Sequence, residues 1–374
     1  MSVTLCLAGD AVRGLETTPG WGASVISSAP SRRRFARVPA VAAVAVAVAL
    51  LAAGCTAPAD DGRDATSTPS PSGTPGVKTA AEIFPGGPFL DPRSEAMVAE
   101  QRLREAGKTD QAQKIAQISR KPTAIWLGEW LTAERMPAVL GEYAAEAEEA
   151  GTTLVFVPYA IPNRDCGGLS AGGLEYDEYA AWAQALADQL AGTGAVMIVE
   201  PDSLAMLFSE KCAGEAERRL PLIRGAVEAF SKAGLTSYLD AGNNNWIPEK
   251  RMAEMLASAG IEKARGFFTN VSNFYRVDEE REYGEALSAL VGGKRFVVDV
   301  SRNGNGWKGD WCNPTGAALG QPPVVTTSES THLDALLWVK HPGVSDGACN
   351  GGPKAGQWWE QQALDLVDNR PAKK

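Results

Sequence analysis

What most limits the fold of this chain is an alternation of short apolar runs with longer amphipathic ones. Runs rich in β-branched or large apolar residues occupy 123–127, 153–159, 195–200, 236–239, 266–270, 295–300 and 335–339. Stretches with helical spacing lie between them at 133–150, 176–191, 214–233, 249–259 and 278–291, and another at 355–367 closes the chain. A strand followed by a helix returns to the sheet parallel to the strand before it, so the pattern predicts βα units around a parallel sheet.

Nearly every apolar run is followed at once by polar, acidic or aromatic residues. These are Glu129 and Trp130, Asn163-Arg164-Asp165, Asp202, Asp240, Asn270 and Asn273, Arg302-Asn303, and Lys340 to Asp346. Parallel strands curled into a barrel all end at one rim, and such folds place their chemistry there. Turn-forming needs alone account for Gly and Asn at these positions but not for repeated Asp and Trp.

The N-terminus reads as an export segment over residues 1–54. Ser-Arg-Arg-Arg-Phe-Ala-Arg (31–37) precedes an unbroken small and apolar run over 38–53, shorter than the roughly 20 residues of a membrane-spanning helix. The run ends in Leu51-Ala52-Ala53-Gly54-Cys55, which resembles a bacterial lipobox with Cys55 as the lipidated residue. Arg32, Arg33 and Phe35 also resemble a twin-arginine signal. Residues 55–78 are rich in Ser, Thr, Pro, Gly and Asp, and they read as a disordered tether with too little apolar surface to offset its ordering entropy. Residues 79–374 are left as one catalytic-size domain. The expected location is the outer face of the bacterial cell membrane, reached through a lipid anchor alone, or the secreted medium.

Removing residues 1–54 takes five arginines and two acids from the 36 basic and 45 acidic side chains and leaves a net charge of −12. That balance argues against nucleic acid as a partner and is compatible with a neutral polymer. With Cys6 and Cys55 set aside, Cys166, Cys212, Cys312 and Cys349 remain. An even, widely spaced set in an exported chain points to two disulfides, for which three pairings are open.

Only two histidines exist, His332 and His341, and no CxxC pair is present, so neither a metal nor a cofactor is expected and proton transfer falls to carboxylates. Asp165, Asp202, Asp240 and Asp346 each follow an expected strand. A lone aspartate there is ordinarily a helix cap or turn residue. Four at one rim repel one another, which raises at least one pKa and supplies a proton donor near neutral pH. Asp202 is the best donor candidate because the apolar Met197-Ile198-Val199 leads into it, whereas Glu200 reads as an inward structural acid. Of the ten tryptophans, Trp126, Trp130, Trp246, Trp307 and Trp311 fall at strand ends or in rim loops, where an indole can stack on the apolar face of a sugar.

These residues sit in motifs that resemble glycoside hydrolase family 6. The motifs are Pro-Asn-Arg-Asp-Cys-Gly-Gly (162–168), Val-Glu-Pro-Asp-Ser-Leu (199–204), Tyr-Leu-Asp-Ala-Gly (238–242), Asn-Val-Ser-Asn (270–273), Ser-Arg-Asn-Gly-Asn-Gly (301–306), Asp-Trp-Cys-Asn-Pro (310–314), Trp-Val-Lys (338–340) and Ser-Asp-Gly (345–347). They occur in the family's order across almost the whole domain. The resemblance implies an α/β domain built as a distorted parallel barrel of about seven strands, and hydrolysis of internal β-1,4-glucosidic bonds with inversion. It implies Asp202 as general acid, Asp165 as the partner that holds and relays its proton, Asp346 as the proposed base and Asp240 as an acid shaping the site. Trp126, Trp246 and Trp311 match sugar-stacking positions, and Tyr159, Arg164, Asn243, Asn270 and Lys340 match polar positions along the substrate. The implied disulfides are Cys166–Cys212 and Cys312–Cys349, and the implied partner is a β-1,4-glucan polysaccharide or oligosaccharide; the chain is expected to be a monomer.

Two departures from the family pattern stand out: Asn243 replaces a usual His, and Val344 replaces a usual Glu. Loss of a charged contact at Val344 is expected to re-tune binding, since a hydrogen bond to a charged group contributes about 1.5–3 kcal/mol. The short 301–313 loop suggests an open cleft. Two other readings compete with hydrolysis of glucan: a non-catalytic glycan-binding lipoprotein, and a serine esterase built on Gly168-Leu169-Ser170-Ala171-Gly172 with His332.

Overall fold

The structure is a computed structural model that describes residues 78–328 and 330–371. Cys55, the export segment and nearly all of the tether lie outside the described residues. All seven expected strands are present: β1 (Ile125–Leu127), β2 (Val155–Pro158), β3 (Val196–Val199), β4 (Thr236–Asp240), β5 (Gly266–Thr269), β6 (Arg295–Asp299) and, after a two-residue β7 (Val324–Val325), β8 (Leu333–Leu337). They form one sheet in the order β1-β2-β3-β4-β5-β6-β8-β7, parallel throughout except for β7 against β8. The sequence reading missed β7, which is too short for any periodicity and follows Pro322-Pro323.

The sheet curls until β1 approaches β8, and the ring is left incomplete there. No ladder joins the two strands; Ala124 N–H donates to the Trp338 carbonyl at 2.9 Å and the Trp126 indole N–H to the Val339 carbonyl at 2.8 Å. Alternating strand residues divide the core in two. Val155, Val157, Val196, Ile198, Tyr238, Phe268, Val297, Ala335 and Leu337 fill the interior of the ring. Phe156, Met197, Val199, Leu239, Phe267, Phe296 and Leu336 pack outward against the helices.

Six of those helices match the expected stretches: Met136–Ala150, Tyr179–Leu190, Ala216–Lys232, Glu249–Ser258, Val277–Leu290 and Glu360–Asp368. A helical pair, Glu95–Glu105 and Thr109–Ser119, precedes β1 and was not anticipated, although Ala96, Ala99, Leu103 and Ala112, Ile115, Ile118 carry the i, i+3 spacing.

The strand starts form a closed floor. Ile83 and Phe84 join the interior cluster, and the Phe89 N–H and Gly87 carbonyl bond to Thr153 just ahead of β2. Beside them the fully buried Asp334 accepts from Arg265 at 2.7 and 2.9 Å, from Arg295 at 2.9 Å and from the Tyr238 hydroxyl at 2.6 Å. A buried charge is tolerable only when paired in this way. With the floor sealed, the strand ends are the open mouth.

Candidate active site

The mouth is built on three buried carboxylates at strand ends. Glu200, directly after β3, accepts the N–H groups of Ala160 and Ile161 at 3.0 and 3.1 Å and the Tyr179 hydroxyl at 2.9 Å. Asp240, the last residue of β4, accepts from Leu204, Ala205 and Gly242 at 2.9–3.0 Å. Asp299, the last residue of β6, accepts from Ser301 and Lys340, both at 2.9 Å. Each acid ties loops from neighbouring strands to one strand end. The chain leaves these ends through left-handed conformations at Asp165 (φ 57°), Glu200 (φ 48°) and Asp202 (φ 69°), which non-glycine residues adopt only where the surroundings enforce them.

Two disulfides pin the same loops. Cys166–Cys212 joins the loop after β2, carrying Asp165, to the loop after β3, carrying Asp202. Cys312–Cys349 joins the loop after β6 to the loop carrying Asp346.

Across the mouth runs a cleft of about 1480 Å³, larger than the roughly 300–1,000 Å³ typical of small-molecule pockets. Trp126, Tyr159, Arg164, Asp165, Asp202, Asn243, Trp246, Trp311, Lys340 and Asp346 all line it, as does Val344. In a ring of this order β1 stands opposite β4 and β5. Trp126 on β1 and Trp246 after β4 therefore mark two ends, with Asp165 and Asp202 on one wall and Asp346 on the other.

One expectation needs correcting. Asn270 is fully buried and spends its amide on the chain itself: it donates to the Tyr275 and Asp299 carbonyls and accepts the Tyr275 N–H, so it shapes a loop rather than touching a ligand. Asp240, expected to shape the site, is buried beneath the cleft lining. It acts by holding the 202–205 turn.

The acids that do reach the cleft differ in environment. Burial, then the charges of Asp240 and Asp165, push the Asp202 pKa well above the aspartate range, opposed by Lys340. Burial also raises Asp240, but backbone N–H donors favour its charged form. Asp202 makes no side-chain hydrogen bond among the described residues, so burial and like charge favour its protonated form more than that of Asp240. Asp346 behaves oppositely. Burial works to raise it, yet Arg302 at 2.8 Å and Lys340 at 3.2 Å hold it below the ordinary range.

Several supporting residues were not singled out from sequence. Arg219, on the helix after Asp202, is 1% exposed and donates to the Ser203 carbonyl at 3.1 Å and the Asn163 carbonyl at 2.9 Å, bridging both acid-bearing loops. In the first turn of that helix and among charged neighbours, it offered no signal. Arg302 was visible as a polar residue after an expected strand, but its pairing with Asp346 was not. Glu280, buried on the Val277–Leu290 helix, has its pKa raised by burial to about 7 and accepts the N–H of Asn244, two residues before Trp246.

The esterase pair does not assemble. Ser170 lines the cleft, whereas His332 lies immediately before β8, at the opposite end of the ring, and bonds to Glu285 at 2.7 Å.

Known proteins share this fold. The model of glycosyl hydrolases family 6 matches residues 88–370, and the chain belongs to that family. It is 42% identical over 281 residues to Endoglucanase A of Cellulomonas fimi, covering 75% of this chain and 61% of that protein. It is 40% identical over 262 residues to Endoglucanase 1 of Streptomyces halstedii, covering 67% of this chain and 80% of that protein. A solved endoglucanase of Mycobacterium tuberculosis, in complex with methyl-cellobiosyl-4-deoxy-4-thio-β-D-cellobioside, superposes with a TM-score of 0.70 at 40% identity, over 75% of this chain and 96% of that one.

Proposed function

We propose that this domain hydrolyses internal β-1,4-glucosidic bonds of cellulose-like or soluble β-glucan with inversion at the anomeric carbon. The observation that carries the reading is the opposed electrostatics of two carboxyls in one cleft: Asp202 is held protonated by burial and like charge, and Asp346 is held ionised by Arg302 and Lys340. Acetal cleavage requires a proton for the leaving oxygen and negative charge or a base on the other side. Asp202 gives its proton to the leaving oxygen and is re-protonated through Asp165, whose Oδ2 is oriented by the Ser170 N–H at 2.8 Å. Asp346 stabilises the positive charge that develops on the sugar. Its oxygens already accept from Arg302, Lys340 and Asn313, which weakens it as a base, so the attacking water passes its proton on through solvent toward Asp165. Trp126, Trp246 and Trp311 stack on glucosyl rings, and Tyr159, Arg164 and Asn243 position them.

The two disulfides fit an oxidising compartment, in keeping with export and attachment through a lipid on Cys55. Reducing-sugar release from carboxymethyl cellulose, with NMR of the first-formed anomer, tests the reaction. Loss of about 10²–10⁴-fold in kcat is expected for Asp202→Ala. Binding without release in the unaltered chain would favour a glycan-binding protein instead.

A further inference from the structure

Tyr275 and Trp307 lie on the neighbouring loops after β5 and β6, and both line the cleft. Their rings stack with centroids 5.1 Å apart and planes 3° from parallel. Tyr275 is fixed from several sides: its carbonyl accepts from Asn270 and Asn303 at 3.2 and 3.0 Å, and its hydroxyl accepts from the Asn245 amide at 2.9 Å. Asn245 is the residue before Trp246, so the pair is bonded directly to the loop that carries an expected sugar-stacking indole. Trp307 nonetheless remains 39% exposed. A packing role alone would have buried the indole; here one face is backed by a rigid phenol and the rest opens to the cleft.

We infer that the Tyr275–Trp307 pair forms an additional glucosyl-binding subsite, reached by substrates long enough to extend past Trp246. This rests on the glucan reading above. An indole already held in place stacks on the apolar face of a sugar without losing rotamer freedom on binding, and an aromatic contact of this kind is worth about 0.5–1.5 kcal/mol beyond its buried area. The chain would then favour longer glucans.

The test compares cellotetraose and cellohexaose as substrates for the full chain and its Trp307→Ala and Trp307→Phe variants. The Trp307→Ala change is expected to raise the ratio of KM for cellohexaose to KM for cellotetraose about tenfold, near the upper end of that range. Trp307→Phe should restore most of the difference, which a folding defect would not. Equal changes on both substrates, or none, overturn the subsite while leaving the hydrolase reading intact. If the unaltered chain cleaves neither oligosaccharide, the hydrolase reading fails, and calorimetric titration with the same two sugars decides the subsite by the same comparison.

Discussion

Asn313 and Asp346 grip one another twice: the Asn313 N–H donates to Asp346 Oδ2 at 3.0 Å, and the Asp346 N–H donates to Asn313 Oδ1 at 2.9 Å. The reciprocal pair locks the loop after β6 to the loop after β8, and the neighbouring Cys312–Cys349 bond locks the same two loops covalently across a separation of 37 residues. Two independent ties at one acid mean that its placement, more than the fold as a whole, depends on them.

Removing that disulfide is therefore expected to cost activity as well as stability. Chain entropy alone predicts a loss of roughly 4 kcal/mol for a loop of this length. Cys312→Ser with Cys349→Ser should lower Tm and, at temperatures where both forms are folded, lower kcat; unchanged kcat in the folded variant would show that the Asn313 pair suffices.

The activity profile against pH should be a broad bell. Its basic limb, where Asp202 loses its proton, is expected well above the ordinary carboxylate range, and its acid limb, where Asp346 gains one, below it. Arg302→Met removes a charge at 2.8 Å from Asp346, so the acid limb should move toward neutral pH while the basic limb moves less. An acid limb that stays in place would assign it to another group.

Asp202 is also placed at the expense of stability. Its folded pKa is raised above the unfolded value, so its favourable contribution is complete below the unfolded pKa and is lost as pH rises through the folded pKa. Asp202→Asn should be inactive yet melt higher than the unaltered chain at neutral pH, by about 2–4 °C for each kcal/mol relieved, and the gap should close on acidification. Thermal melts across pH test the sign.

Arg219 is expected to govern both acid-bearing loops at once. Arg219→Met leaves the Ser203 and Asn163 carbonyls without their donor, at about 1.5–3 kcal/mol for each lost hydrogen bond to a charged group. Because Asp165 and Asp202 both shift, kcat should fall about 10²-fold, with KM changing little. Arg219→Lys cannot reach two carbonyls with one fork and should recover stability better than kcat. A fall in Tm with kcat untouched would reduce Arg219 to a packing role.

The local pattern along the chain determined the strands, six of the helices, the rim on which chemistry gathers, and the identity of Asp165, Asp202 and Asp346 as cleft acids. Alternation and helical spacing are nearest-neighbour properties, and the ends of parallel strands must share one rim whatever the details. Only the tertiary structure decided which surroundings set Asp202 apart from Asp346, that Asp240 and Asn270 are held by the backbone beneath the cleft, that His332 is cut off from Ser170, that Arg219 and Asn313 support the site, and that Tyr275 stacks on Trp307. Those outcomes depend on burial and on hydrogen bonds between residues far apart in the chain, such as Asp346 with Arg302 or Asp240 with Leu204. A carboxylate and its neighbours in sequence look the same whether three N–H groups or three like charges surround it in space.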